Sequence, residues 1–257
     1  MTYTDANADP SLTNYKVNRP NLANVKGNKI SKDEAINIAR NFLELDGDEK
    51  IKVETTGEKL KDRYYSLEIN EPKTNSEIYM DITEKGGYPV WVIDNREIKA
   101  QKIDLNQASI NGLKFLERNK FKNMVLTQSS QYDNIGVFTY VTKTDGVRIY
   151  PEAVTMKIAL DDGSIVGFSA RNYLSAFTIR KIQKPKMSVE DARKNVNSNL
   201  KVMEERQAII LNKLNKEVLC YEFVGIRGND TFQVFINADN GIEEQIKKLN
   251  VLVEDYD

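Results

Sequence analysis

Ser31-Lys32-Asp33-Glu34-Ala35 reads as a helix start. The serine oxygen can accept a hydrogen bond from an unpaired amide of the first turn, and the glutamate three residues on can return it. The same grammar recurs at Asp104-Leu105-Asn106-Gln107-Ala108 and at Ser188-Val189-Glu190-Asp191-Ala192, where Asp191 is a shorter stand-in for the usual Glu or Gln. Behind the caps, Ala35, Ile38, Ala39, Phe42 and Leu43 share one helical face; so do Leu105, Ala108, Leu113 and Leu116, and again Val189, Ala192, Val196, Leu200 and Met203. Each set predicts an amphipathic helix lying on an apolar surface.

Alternating strands further along supply that surface. Ile78, Met80 and Ile82 precede Gly86-Gly87; Met156, Ile158 and Leu160 precede Asp162-Gly163; Phe232, Val234 and Ile236 precede Asn240-Gly241. These dipeptides favour a type I′ hairpin, whose central residues both need positive φ. Cap and turn glycine are separated by 56, 59 and 53 residues, leaving room for another hairpin in between, as around Asp145-Gly146 and Gly228-Asn229. Pro89 and Pro151 argue for edge positions, since proline donates nothing to a ladder. The expected fold is α+β: a polar extension over 1–29, then three tandem modules over 30–103, 104–186 and 187–257, each a helix packed on an antiparallel β-sheet.

Composition restricts the chemistry. Lys and Arg number 37 against 38 Asp and Glu, a formal charge of -1 over 257 residues, so no overall field draws in nucleic acid or an anionic bilayer. With no histidine, the usual general base, the His-dependent nucleophile arrangements and imidazole metal sites are excluded. A single cysteine, Cys220, excludes an internal disulfide and a thiolate zinc cluster. No cofactor or metal is expected. No apolar run approaches the roughly 20 residues of a membrane span, and the polar opening Met1 to Pro10 reads as a linker behind an added start codon, with a preceding segment removed.

Paired carboxylates remain the readily available catalytic apparatus, as in glycoside hydrolysis. The candidates are Glu68, Asp81, Glu84, Asp161, Asp162, Glu243 and Glu244. Six residues before the turn glycine, however, stand Asp81, Lys157 and Phe235; the repeat keeps apolar and turn positions, not a polar group, and the acids read better as solvated edges, turns and caps. The oxygen-bearing positions around Asp161 and Asp239 are out of register for a calcium loop. Gly225-Ile226-Arg227-Gly228 lacks the ending of a phosphate loop and reads as a tight turn, and Cys220 reads as a packed small hydrophobe. For partner binding the candidates are Trp91, expected on an edge strand, where it either packs the hairpin or anchors a partner, and the basic stretch Arg171, Arg180, Lys181, Lys184 and Lys186, a solvated linker or a meeting point for an acidic partner or an anionic glycan.

A capped helix beginning Ser-x-x-Glu/Asp-Ala, followed by antiparallel strands and a closing Asp-Gly or Asn-Gly hairpin, resembles the PepSY domain, here three times over. Tyr79-Met80-Asp81-Ile82-Thr83-Glu84-Lys85-Gly86-Gly87-Tyr88-Pro89-Val90-Trp91-Val92-Ile93 is similar to part of the YpeB family of spore germination proteins, and the resemblance spans about residues 30 to 250. The second copy departs from it, with Asp104 for the cap serine and Gly112 inside the helix, which costs up to about 1 kcal/mol relative to alanine. The resemblance implies a non-enzymatic role with no catalytic residues to carry over. It also implies a cortex-lytic enzyme of SleB type as partner, with peptidoglycan as a further one, no nucleic acid, and an extracytoplasmic place at the spore inner membrane and cortex. Stabilising, localising and inhibiting the hydrolase are alternatives within that reading; a glycan-cleaving enzyme and a passive spacer are alternatives to it.

Overall fold

Each expected cap forms. In this computed structural model, which describes residues 22, 25–57 and 63–249, Ser31 Oγ accepts from Glu34 N at 3.2 Å while Ser31 N donates to Glu34 Oε2 at 2.7 Å, closing a capping box on α1 (Lys32–Leu43). Asp104 Oδ1 accepts from Gln107 N at 2.7 Å at the head of α2 (Leu105–Arg118). A short helix, α3 (Arg171–Ala176), occupies part of the stretch read as linker. Ser188 caps α4 (Val189–Arg193), accepting from Asp191 N at 3.1 Å. The expected extension over 1–29 lies largely outside the described residues.

Twelve strands occur among the described residues: β1 (Lys50–Thr56), β2 (Tyr64–Glu71), β3 (Ser76–Thr83), β4 (Pro89–Asp94), β5 (Met124–Tyr132), β6 (Ile135–Thr144), β7 (Val147–Ala159), β8 (Ile165–Ser169), β9 (Lys201–Leu211), β10 (Glu217–Arg227), β11 (Asp230–Asn237) and β12 (Glu243–Leu249). Pairing is mostly antiparallel and helices are few, an α+β fold. The chain divides into two compact units. One comprises the described residues up to 121 with 126–140 and 152–177; the other comprises 122–125, 141–151 and the residues from 178 on.

In the first unit the strands run β1-β2-β3-β4-β8-β7, each pair antiparallel. Period-two alternation buries Leu67, Ile69, Ile78, Met80, Ile82, Val90 and Val92. Ala35, Ala39 and Phe42 of α1 and Ala108, Phe115 and Leu116 of α2 are buried too. Phe42, Phe115 and Phe168 meet with ring centroids 4.9 to 6.0 Å apart, the closest pairs edge to face, each ring contributing about 1.5–3 kcal/mol through burial. Gly112 of α2 is required by packing: a Cβ there would fall inside contact distance of the Tyr140 hydroxyl, which donates to Ser109 O at 2.9 Å. The low helix propensity of glycine is thus exchanged for close approach of α2 to β6.

In the second unit Arg148 and Ile149 at the start of β7 pair in parallel with Ala208 and Ile209 of β9, and β9-β10-β11-β12 follow antiparallel. One face of this sheet packs Tyr221, Phe223, Val234 and Ile236 on Ala192, Val196 and Leu200; the other packs Ala208, Ile210, Cys220 and Phe235 with Tyr150. The long helix expected after Ser188 is corrected: α4 ends at Arg193, and Lys194, Asn195 and Val196 make tight i→i−3 backbone bonds. The run Asn195-Val196-Asn197-Ser198-Asn199 explains the stop, because these side chains compete for backbone groups; Asn197 Oδ1 accepts from Asn199 N at 2.9 Å. Met203, expected on that helix, is exposed on β9.

The closing hairpins also differ from expectation. Their loops have five residues, 84–88, 160–164 and 238–242, and within two of the three dipeptides only the glycine has positive φ. Paired positive φ occurs at Gly86 and Gly87, φ 78° and 66°, and in the tight turn of Asp145 and Gly146, φ 49° and 84°, joining β6 to β7. The longer loops share one geometry. Residue pairs 83/88, 159/164 and 237/242 are bonded N–H to C=O, and the carbonyl that follows, of Glu84, Leu160 or Ala238, accepts from the residue just before the cap, Ile30, Ile103 or Met187. The turn glycine sits under the helix start: a Cβ on Gly87, Gly163 or Gly241 would lie 2.6, 2.5 or 2.7 Å from Ile38, Asn111 or Asn195, in each copy the seventh residue after the cap. A register shift precedes each loop, at Asp81/Ile82, Lys157/Ile158 and Phe235/Ile236. Helix start and last hairpin are therefore bonded into one bracket in all three places.

The edge reading of Pro89 is corrected. Pro89 opens β4, which is paired on both sides, and proline is tolerated there as a first strand residue. Pro151 falls between the stretches of β7 paired with β9 and with β8, open on that side as an edge position is. Gly225 to Arg227 belong to β10, with only Gly228 turning.

Candidate functional site

The carboxylates named as catalytic candidates are held by neighbours. Lys52 Nζ meets Glu68 Oε1 at 2.9 Å. Asp81 accepts from Ser66 Oγ at 2.7 Å and from the Trp91 indole N–H at 2.6 Å. Buried Glu84 pairs with Lys29 at 2.8 Å and lies 3.8 Å from Arg63. Asn237 Nδ2 donates to Glu244 at 2.7 Å, and Glu243 is exposed on β12.

Asp161 is the most firmly held. Its oxygens accept from Arg96 Nη1 at 3.0 Å and Nη2 at 2.7 Å and from the Lys99 amide at 2.8 Å; Arg96 Nη2 also reaches Asp162 and Ser164. Both partners are buried, with side chains 8% and 5% exposed. The guanidinium holds the Asp161 carboxyl far below the usual carboxylate range, outweighing its desolvation. A general acid needs the reverse, a carboxyl kept protonated near neutral pH. Asp161 and Asp162 serve to clamp the segment after β4 to the β7–β8 loop.

Of the partner-binding candidates, the structure brings Trp91 and Arg171 together. Trp91 lies on β4 opposite Asp81 of β3 and Ser169 of β8, so its expected place on an edge strand is corrected. Thr56, Ser66, Asp81 and Trp91 form a polar row across four strands, and the Arg171 guanidinium stands 5.9 Å from the indole centroid. Trp91 is half-buried, leaving part of the indole at the surface of a rigid sheet.

Arg180 and Lys181 belong to the second unit. Arg180 is largely buried, its Nη1 donating to Glu217 at 2.7 Å, so it is no solvated linker residue. Exposed Lys181, with Arg180, Gln183, Val218 and Asn240, lines a cleft of about 440 Å³. Lys186 pairs with Asp239 at 2.7 Å. A larger cleft, about 550 Å³, opens in the first unit, lined by residues of both charges, among them Glu44, Lys73, Arg96, Lys114, Arg118 and Asp162.

Sequence reasoning missed a buried network in the second unit. Glu222, fully buried, accepts from Tyr150 at 3.0 Å and Gln233 at 2.9 Å, with Arg206 and Arg148 at 3.5 and 3.7 Å. Burial, with the Glu222 charge adding, pushes the Tyr150 hydroxyl well above its ordinary value. A lone acid inside the apolar run Cys220 to Val224 was the available signal. Cys220 is fully buried and burial pushes its thiol up to about 12, as befits a packed hydrophobe. No group of three or more metal-ligating residues occurs among the described residues. Its buried ionisable groups hold loops and strands in place.

Comparison with known proteins follows this geometry. A family described as YpeB sporulation, PepSY1 and PepSY2 domains matches residues 3–183, and one described as peptidase propeptide and YPEB domain matches residues 186–241. The sporulation protein YpeB of Bacillus subtilis (strain 168) is 46% identical over 248 residues, 96% of this chain and 55% of the relative. YpeB of Oceanobacillus iheyensis is 36% identical over 95% of this chain and 54% of its own length. The chain spans about half the length of the curated relatives it matches. The solved C-terminal domain of Bacillus megaterium YpeB superimposes with a TM-score of 0.83 at 53% identity, covering 88% of this chain and 100% of that one.

Proposed function

The chain belongs to the YpeB family of sporulation proteins, and from that premise we propose that it is a non-catalytic binding array which holds a spore cortex-lytic peptidoglycan hydrolase of SleB type during sporulation and germination. The array consists of three tandem PepSY modules, 30–103, 104–186 and 187–257, each a capped helix on an antiparallel sheet. It acts outside the cytoplasm, at the inner membrane and cortex. The observation that carries this reading is the threefold bracket of cap, carbonyl and turn glycine: what the copies share is scaffold, and no carboxylate recurs at the bracket in all three copies. The carboxylates, committed to Arg96, Lys29, Lys52 and Trp91, support it further, as does the peptidase propeptide domain that matches the last third, since propeptides act by docking on hydrolases.

The partner meets the chain on the Trp91–Arg171 sheet face or in the Arg180–Lys181 cleft, both firmly supported by neighbouring strands. Crosslinking with the hydrolase followed by mapping of linked residues tests both surfaces, with links expected within reach of one of them. Incubating the isolated chain with purified cortex tests the catalytic alternative: no muropeptide release is expected, and release would overturn the proposal.

A further inference from the structure

The cleft of about 550 Å³ in the first unit lies where four elements meet: the end of α1, the α2 face that carries Asn111, Lys114 and Arg118, the β2–β3 turn at Lys73, and the β7–β8 loop at Asp162 to Ser164. Its size is that of a small-ligand pocket. Leu43, Leu45 and Ile165, each half-buried, join buried Ile78 and Phe115 in an apolar lining. The walls are fixed by packing of Phe115 on Phe42, 4.9 Å between centroids, and by the Arg96–Asp161 pair.

Eight charged side chains line the cleft, and all but one are engaged. Glu44 pairs with Arg118, Lys73 with Asp46 and Arg96 with Asp162, while Glu71 and Asp94 each accept from the backbone amide two residues on. Lys114 is the exception: among the described residues its ammonium has neither an ion pair nor a hydrogen bond. Asn111, one helical turn before it, accepts from Gln107 Nε2 at 3.1 Å and keeps both of its own amide hydrogens. Ser164 Oγ accepts from Arg96 Nη2 at 2.8 Å, which leaves its hydroxyl hydrogen to donate. The unspent charge in the cleft is therefore positive, and neutral donors line the same cleft.

We propose that this cleft binds a short peptide through its free C-terminal carboxylate, which meets Lys114 and Asn111 while the last, apolar side chain rests on the Leu43 and Leu45 lining. One uncommitted cation balances one negative charge, whereas exposed Glu44 and Asp162 repel a phosphate dianion. A terminal residue carries carboxylate and apolar side chain on the same Cα, so a ligand of this size reaches both halves of the site. Peptide N–H groups then meet the spare carboxylate oxygens of Glu44 and Asp162, for which a fatty acid has no donor.

The test is a titration of the isotopically labelled chain, followed by backbone NMR, with N-acetyl-Leu-Leu as the free acid, with its C-terminal carboxamide and with inorganic phosphate. The acid should saturate with a dissociation constant of about 1 mM or below and shift the signals of Asn111 to Arg118 and of Asp162 to Ile165. The carboxamide should bind about tenfold more weakly, as should the acid on Lys114→Ala, the size of one lost charge-assisted hydrogen bond; phosphate should leave these signals unmoved. Asn111→Asp keeps the acceptor for Gln107 but turns the donor into a like charge, and should abolish binding of the acid with an unchanged thermal midpoint. Acid and carboxamide of equal affinity, a K114A chain that binds as the wild type does, phosphate acting on the same signals, or no shift there up to about 10 mM would each overturn the proposal.

Discussion

The segments that follow Ser31 and Ser188 begin alike and end differently. Both start on a serine cap three residues before an acid, and both are tied to a closing hairpin through the residue before the cap and the seventh residue after it. After that, α1 continues to Leu43 while α4 stops at Arg193. The third copy keeps Val196 and Leu200 buried without a helix to carry them. What the fold requires at this position is thus the bracket, and helix length is free to vary once apolar side chains still reach the sheet.

The comparison is sharpest two residues before the turn glycine. In the second copy Asp161 is buried against Arg96; in the third, Asp239 meets Lys186 with side chains 46% and 71% exposed. Asp161→Asn leaves a buried guanidinium short of its charge partner and should cost about 3–5 kcal/mol in denaturant unfolding. Because the carboxyl is held below its ordinary 3.8 in the folded state, the pair's contribution is complete above about pH 4 and is lost as pH falls toward the lowered value. The wild type should lose stability over that window more steeply than D161N. Next in size is Gly112→Ala, which drives a methyl against Tyr140 and should cost about 1–3 kcal/mol. Alanine at Gly87, Gly163 or Gly241, with φ of 66°, 81° and 75°, should cost about 1–2 kcal/mol each, and hydrogen exchange should quicken at Ile30, Ile103 or Met187 in the altered copy alone. Ser31→Ala and Ser188→Ala should each cost about 1 kcal/mol. The smallest effect, below about 1 kcal/mol, belongs to Asp239→Asn, since exposed pairs are screened.

The bracket's ends were legible in the sequence because capping and turn chemistry are local: Ser31, Asp104 and Ser188 cap as read, and Gly87, Gly163 and Gly241 turn as read. The length of α4 was not, although the signal lay in the Asn-rich run after Lys194; apolar periodicity through Val196, Leu200 and Met203 outweighed it and pointed to a helix. The loop type was misjudged because a dipeptide preference ignores the bonds a longer loop makes to the helix start. Arg96 with Asp161, 65 residues apart, and the buried set around Glu222 are products of tertiary packing that no local pattern reveals. Of the candidate surfaces, Trp91 was legible as a residue, and its coupling to Asp81 and Arg171 was not.

Docking is the claim on which the functional account rests, and light-scattering titration of the whole chain against the cortex-lytic hydrolase tests it most directly. A saturable complex at micromolar concentrations, weakened by Trp91→Ala or Lys181→Glu without loss of fold, is the predicted result; two species that stay separate up to tens of micromolar would contradict it.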